Sequence, residues 1–437
     1  MLSTNKQLSK YSWISKFAIY SVGALAFSIN FGVALVSISG LLIAATVCIT
    51  WVIEKTRITP LCVSNSNGLT PIVIPLALVW MTVTGIWTES NLIDSGTQLM
   101  RYSRILVIPF ILFLIRTPNQ TLSLLKIWIF GQIFVIFSSY LLWFNINVPW
   151  ATNPHSSNDL TPFTSTLEQP IMNTIMFIVV WNLRDLLTKI WNRLTVNIIL
   201  IATAFEVLYV MQGRTGYVCM VIALTFIAWQ RANSKLKIFI IFIPVFLFSI
   251  VYFTSSKFNG RITEVIVDIQ NYSKGSEVSS QGNRIEFTRK SIEAIKFKPI
   301  LGYGIGSWPL AYRHVVTNVP TVMINGTLTE IKADNPHEQY LLWFVEGGLI
   351  GFILLILIFY AIYRDSKKLA PEAKNSLQLI LLCTAFICFL NCPLLGAGMS
   401  EYLCFSIAIL LNISTSSISE MHQKISQPSF NNTAQNA

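Results

Sequence analysis

Long apolar runs separated by short polar turns, with one long polar stretch late in the chain, set the pattern of this sequence. Runs such as Ile238–Tyr252 carry no polar face, so lipid rather than water would solvate them as helices. The pattern predicts twelve spans, at about 14–30, 33–53, 70–87, 101–115, 122–144, 169–183, 195–211, 216–230, 236–254, 339–363, 376–393 and 399–415. The expected fold is therefore an all-α polytopic membrane protein. It has one large, partly helical loop between its ninth and tenth helices. Four units follow: membrane helices over 1–254, a loop domain over 255–338, membrane helices over 339–415 and a disordered tail over 416–437.

Composition supports this reading. The 437 residues are 53% hydrophobic and only 12% charged, about half the charged share of soluble domains. A large soluble all-α protein would need polar helix faces that these runs lack. The net charge of +11 would otherwise point to nucleic acid, but the basic residues lie in loops. The short loops 88–100 and 145–168 hold no Lys or Arg, whereas the turns on the other side are basic. The positive-inside rule then places both termini in the cytoplasm and the long loop outside. The polar, basic stretch Met1–Lys16 leads into the first span without a small-residue cleavage site, so an uncleaved helix is expected.

Within the long loop, Glu264–Tyr272 reads as a short amphipathic helix and SKGSEVSSQGN (273–283) as a linker. Arg284–Phe297 has helical periodicity through Ile285, Ile292 and Ile295. LGYGIGSWP (301–309) follows, its alternate glycines permitting tight turns or close backbone approach. It lacks the βαβ context of a dinucleotide site. None of the seven cysteines falls in this loop, which excludes a disulfide or thiolate metal site there.

Candidate chemistry collects where the loop meets the membrane. In NPHEQYLLWFVEGGLIG (335–351), His337 stands at the start of a span, with an ordinary pKa of about 6.5, and can take a proton from a hydroxyl. A helix starting there would put Tyr340, Leu341 and Phe344 on its face. Glu346 is the one charge read as lying deep in an apolar run, and its helix face opposes the histidine's. Its expected role is a helix–helix polar contact beside the close-packing pair Gly347 and Gly351. Three arginines occupy the outer edge: Arg214 in the tight turn MQGRTGY, and Arg101 and Arg104 at the opening of the fourth span. Arg284 opens the loop helix, where a cation opposes the helix dipole. Guanidinium groups suit phosphate oxygens, although snorkelling would equally account for Arg101 and Arg104. Arg289 and Lys290 read as solvated charges. His155 and His314 lack the spacing of a zinc site with His337, so no metal is expected.

Three blocks together resemble the O-antigen ligase and polymerase superfamily: HEQYLLWFVEGGLIG, QGRTGY, and GNRIEFTRKSIEAIKFKPILGYGIGSW. They span about residues 200–355. The resemblance implies a bacterial inner-membrane glycosyltransferase working on the periplasmic side, without a cofactor. Its donor would be undecaprenyl-diphosphate-linked O-antigen. For a ligase the acceptor would be lipid A-core. It further implies that Arg214 and Arg284 hold the donor diphosphate, that His337 is the base, and that Arg104 matches a basic residue on an earlier span. Many members have Asn after the histidine, where this chain has Glu338. Ligase is the preferred reading. An O-antigen polymerase, whose periplasmic mass more often forms two large loops, and a protein O-oligosaccharyltransferase differ only in acceptor. A polytopic transporter would instead favour charges paired mid-membrane.

Overall fold

The computed structural model describes residues 12–55, 68–153, 155–186, 190–273, 280–316, 321–324, 327–330 and 333–413. The expected tail 416–437, Cys62, most of the basic N-terminus and the linker core 274–279 lie outside these residues.

The first part of the chain runs α1 (Ser12–Ser28), α2 (Val33–Lys55), α3 (Thr70–Val83, then a 3-10 turn to Ile86), α4 (Leu92–Ser103), α5 (Val107–Leu114) and α6 (Pro118–Trp143). The short α7 (Ser156–Asp159) precedes α8 (Glu168–Leu183) and α9 (Ile190–Phe205), which ends in a π-helical turn, Glu206–Val210. Then come α10 (Arg214–Arg231), α11 (Lys237–Ile240) and α12 (Ile243–Thr254). The long polar segment holds α13 (Ser256–Ser273), α14 (Ser280–Phe297), α15 (Trp308–Val315) and a hairpin, β1 (Thr321–Ile324) with β2 (Thr327–Glu330). The chain closes with α16 (Gln339–Ser366), α17 (Pro371–Leu390) and α18 (Ala397–Leu411).

The expected stretches overlap helical segments, with 101–115 and 236–254 each divided between two helices. Among the described residues, seven helices are long and apolar enough to cross a membrane, while Thr70–Ile86 and Ala397–Leu411 are apolar but shorter. This is a helical membrane protein. Helix starts follow local chemistry. Asn91 accepts the Asp94 N–H to cap α4, and Thr117 forms a capping box with Gln120 ahead of α6.

Four expectations need correction. Arg101 and Arg104 do not open a helix. The helical run begins at Leu92, because Asn91 caps it there, and a 3-10 turn over Arg104–Leu106 joins α4 to α5. On α14, Ile285 and Ile292 are exposed; the inward face is Phe287, Ser291 and Ala294, small enough in part to admit Trp308. Glu346 is not the one buried acid, since Glu206, Glu401 and Asp365 are buried too. Lys290 is not simply solvated, because its Nζ donates to the Val315 carbonyl at 2.7 Å.

The feature that locks the loop to the membrane helices is a break in α16. Gly348 sits at φ 65°, ψ −166°, which opens the helical ladder. The freed Leu349 N–H donates to Pro299 O at 2.9 Å. The freed carbonyls of Val345, Glu346 and Gly347 accept from Tyr303 N, Gly304 N and Trp80 Nε1 at 2.8, 2.9 and 2.9 Å. Every ladder group lost to the kink that these bonds reach is thereby paired again. Gly302, Gly304 and Gly306 all have positive φ, and a Cβ on Gly304 would lie 2.3 Å from the Thr88 Cα. The alternate glycines of LGYGIGSWP thus serve close backbone approach.

Candidate active site

His337 does not ride on α16. It precedes the helix by two residues in the left-handed region (φ 54°), where its N–H donates to Asn335 Oδ1 at 2.9 Å. A non-glycine residue held there is strained, and surrounding contacts must impose it. The faces of Phe287 and His337 run nearly parallel, 6.4 Å apart at 19°. Phe287 is itself held edge-on by Trp308 and Tyr312, at 5.5 and 5.3 Å. The imidazole thus faces Phe287 and also lines a cavity. Burial first, then the charge of Arg284, hold its pKa below 6.5, with Asp334 offsetting this in part.

Arg284 lies three residues before Phe287, on the same face of α14. Its Nη1 donates to the Leu390 carbonyl at 3.2 Å, and among the described residues it has no carboxylate partner. Burial, then the nearby Arg214 charge, work against its positive form. Two guanidinium groups held close without a shared acid make an electrostatic opening for an anion.

Arg214 begins α10, immediately after the turn that follows the π-helical end of α9. Its Nη2 contacts Glu264 Oε2 at 2.8 Å, and Arg261 contacts the same oxygen at 2.8 Å. The two cations hold Glu264 below the usual carboxylate range. An incoming anion would compete with Glu264 for Arg214.

Arg104 pairs with Glu401 at 3.2 Å and donates to the Leu395 carbonyl at 2.8 Å. Arg101 is exposed near Glu346 and is not joined to the other three by any contact described. Glu346 accepts from Tyr102 at 2.6 Å and from Gly306 N at 3.1 Å. It anchors the glycine segment through Gly306. Glu338, beside the histidine, caps no backbone group with its side chain, and burial pushes its pKa up to about 7. His314 contacts Glu89 at 2.8 Å, and His155 sits beside Asn153 on the loop before α8.

Sequence reasoning missed the element that gathers these groups, the turn 391–396 between α17 and α18. Arg284 and Arg104 grip it through Leu390 and Leu395. Asn391 donates to Thr215, next to Arg214, at 3.1 Å, and Leu394 N donates to Gln339, two residues after His337, at 3.2 Å. The turn also walls a cavity of about 150 Å³ with His337, Asn335 and Glu168. The available signal was Pro393 and Gly396 interrupting an apolar stretch, with Glu401 just inside the next helix.

Residues 198–356 match the model of the O-antigen ligase family, which supports the resemblance to the O-antigen ligase and polymerase superfamily carried by the three sequence blocks. The matched stretch contains Arg214, Arg284 and His337. A curated protein of Haemophilus influenzae, described only as uncharacterized, is 31% identical over 150 residues. That match covers 33% of this chain and 36% of the relative, so the chain aligns with about a third of its length.

Proposed function

We propose that this protein is an O-antigen ligase of the bacterial inner membrane. It transfers undecaprenyl-diphosphate-linked O-polysaccharide to a sugar hydroxyl of lipid A-core, on the periplasmic face. The helices of 1–254 and 339–415 form the membrane part, with both termini cytoplasmic, and 255–338 the periplasmic part. The observation that carries this reading is that Arg284, Thr215 beside Arg214, and Gln339 two residues after His337 all hydrogen-bond within residues 390–394, which brings three distant segments together.

Each group has a task. Arg214 and Arg284 take the donor diphosphate, whose charge grows as the glycosyl bond breaks. Fixed guanidinium groups supply this stabilisation without a metal ion. His337, kept neutral by its surroundings, takes the acceptor hydroxyl proton. The acceptor oxygen bonds to the anomeric carbon, the carbon–phosphate oxygen bond breaks, and undecaprenyl diphosphate leaves with the electron pair. A single displacement of this kind inverts the anomeric centre. Arg104 holds the 391–396 turn rather than the donor, since Glu401 and Leu395 occupy it.

A deletion strain tests the assignment. Loss of a ligase leaves lipid-linked polymer and bare core. Core capped with one repeat would assign a polymerase instead. Unchanged lipopolysaccharide with loss of a glycoprotein would assign a protein glycosyltransferase. Purified enzyme is expected to work in EDTA.

A further inference from the structure

Arg284 and Arg214, cations suited to a diphosphate, stand near His337 but do not line the cavity beside it. Glu168, the first residue of α8, does line that cavity, with Asn335, Asn391 and His337. Among the described residues no cation pairs with Glu168. The neighbouring Arg104 is taken by Glu401. Gly396 leaves Glu168 room: a Cβ there would come within 2.7 Å of Oε1.

An unpaired carboxylate repels a diphosphate, so the donor's leaving group does not belong in this cavity. A neutral polyol does, because a carboxylate has two oxygens that accept from adjacent hydroxyl groups. A cavity of roughly this size holds about one six-membered ring. We infer that Glu168 forms an acceptor subsite, binding a single sugar ring through two neighbouring hydroxyls and turning one hydroxyl toward His337. The donor diphosphate is then held by the arginines outside the cavity and the acceptor ring by Glu168 within it, with the base at the cavity wall. A serine or threonine acceptor, with one hydroxyl, would gain little from such a residue. This inference rests on the glycosyl-transfer reading of the same site.

The test uses full-length protein in proteoliposomes, with lipid-linked glycan as donor and O-antigen-free lipopolysaccharide as acceptor. Glu168→Gln and Glu168→Ala are compared with wild type, after melting curves establish that each is folded. The expected result is an acceptor KM raised roughly 10- to 100-fold, the range for a lost charged hydrogen bond, with the donor KM unchanged. Glu168→Asp should recover part of the loss. An unchanged acceptor KM in both folded variants, or a change confined to the donor KM, would overturn the proposal. If wild type itself ignores lipopolysaccharide and instead extends lipid-linked glycan, the ligase reading fails. The variants are then measured with that acceptor, and the same two outcomes decide Glu168.

Discussion

Arg284 donates to the main-chain carbonyl of Leu390 across 3.2 Å, joining the loop helix to the end of a membrane helix 106 residues later. The same guanidinium bears on His337 by charge. One cation thus anchors the end of α17 and adds to burial in disfavouring the charged form of the candidate base.

The acid limb of activity should report this coupling. A base works in its neutral form, so activity rises with pH through the His337 pKa and then levels. That pKa lies below 6.5 in the folded protein, because burial and Arg284 disfavour the imidazolium. Arg284→Met removes the cation, raises the pKa and moves the acid limb to higher pH. Arg284→Lys keeps the charge and should leave the limb near its original place. An identical limb in wild type and Arg284→Met would refute the coupling.

Glu264 occupies Arg214 before any donor arrives. Glu264→Gln removes that competitor and should lower the donor KM by up to about fivefold, the scale of a partly exposed ion pair. A raised donor KM would mean that Glu264 positions Arg214 instead of competing for it.

The kink at Gly348 and the glycines that dock on it leave no room for side chains. Gly304→Ala would place a Cβ 2.3 Å from the Thr88 Cα at φ 93°, and Gly348→Ala would place one 2.0 Å from the Ile300 carbonyl oxygen. Each should cost about 1–3 kcal/mol or more in backbone strain and overpacking, read as a lower melting temperature in detergent. Gly40→Ala, inside α2 with nothing within 4 Å, is the control and should not lower the melting temperature.

Membrane-spanning elements were legible in the sequence because solvation by lipid imposes long apolar runs, and those runs became helices. The docking glycines were legible as places of close approach. The face of α14 was not, because Ile285 and Ile292 mimic an inward stripe while Phe287, Ser291 and Ala294 receive Trp308. Nor was the position of His337, whose left-handed backbone ends the helical register that placed Tyr340 and Phe344 beside it. The 391–396 turn was illegible for a different reason. Its partners Thr215, Arg284, Arg104 and Gln339 come from four separate segments, and only tertiary contact reveals them.

Glu338 makes stability depend on pH in an unusual direction. Its folded pKa, up to about 7, exceeds the usual carboxylate value, so the folded state holds the proton more tightly than the unfolded state. Stability should therefore fall as pH rises from about 4.5 to about 7. Glu338→Gln should flatten that slope in melting curves taken across the window. An equal slope in the variant would show that other groups set it.

The central claim is that His337, beside Arg284 and Arg214, carries glycan transfer. The direct measurement is lipopolysaccharide capping in the deletion strain complemented with wild type, His337→Ala or Arg214→Ala, each verified as inserted and folded. Wild type should restore the capped form, and both variants should leave bare core with accumulated lipid-linked polymer. Normal capping by His337→Ala would contradict the account.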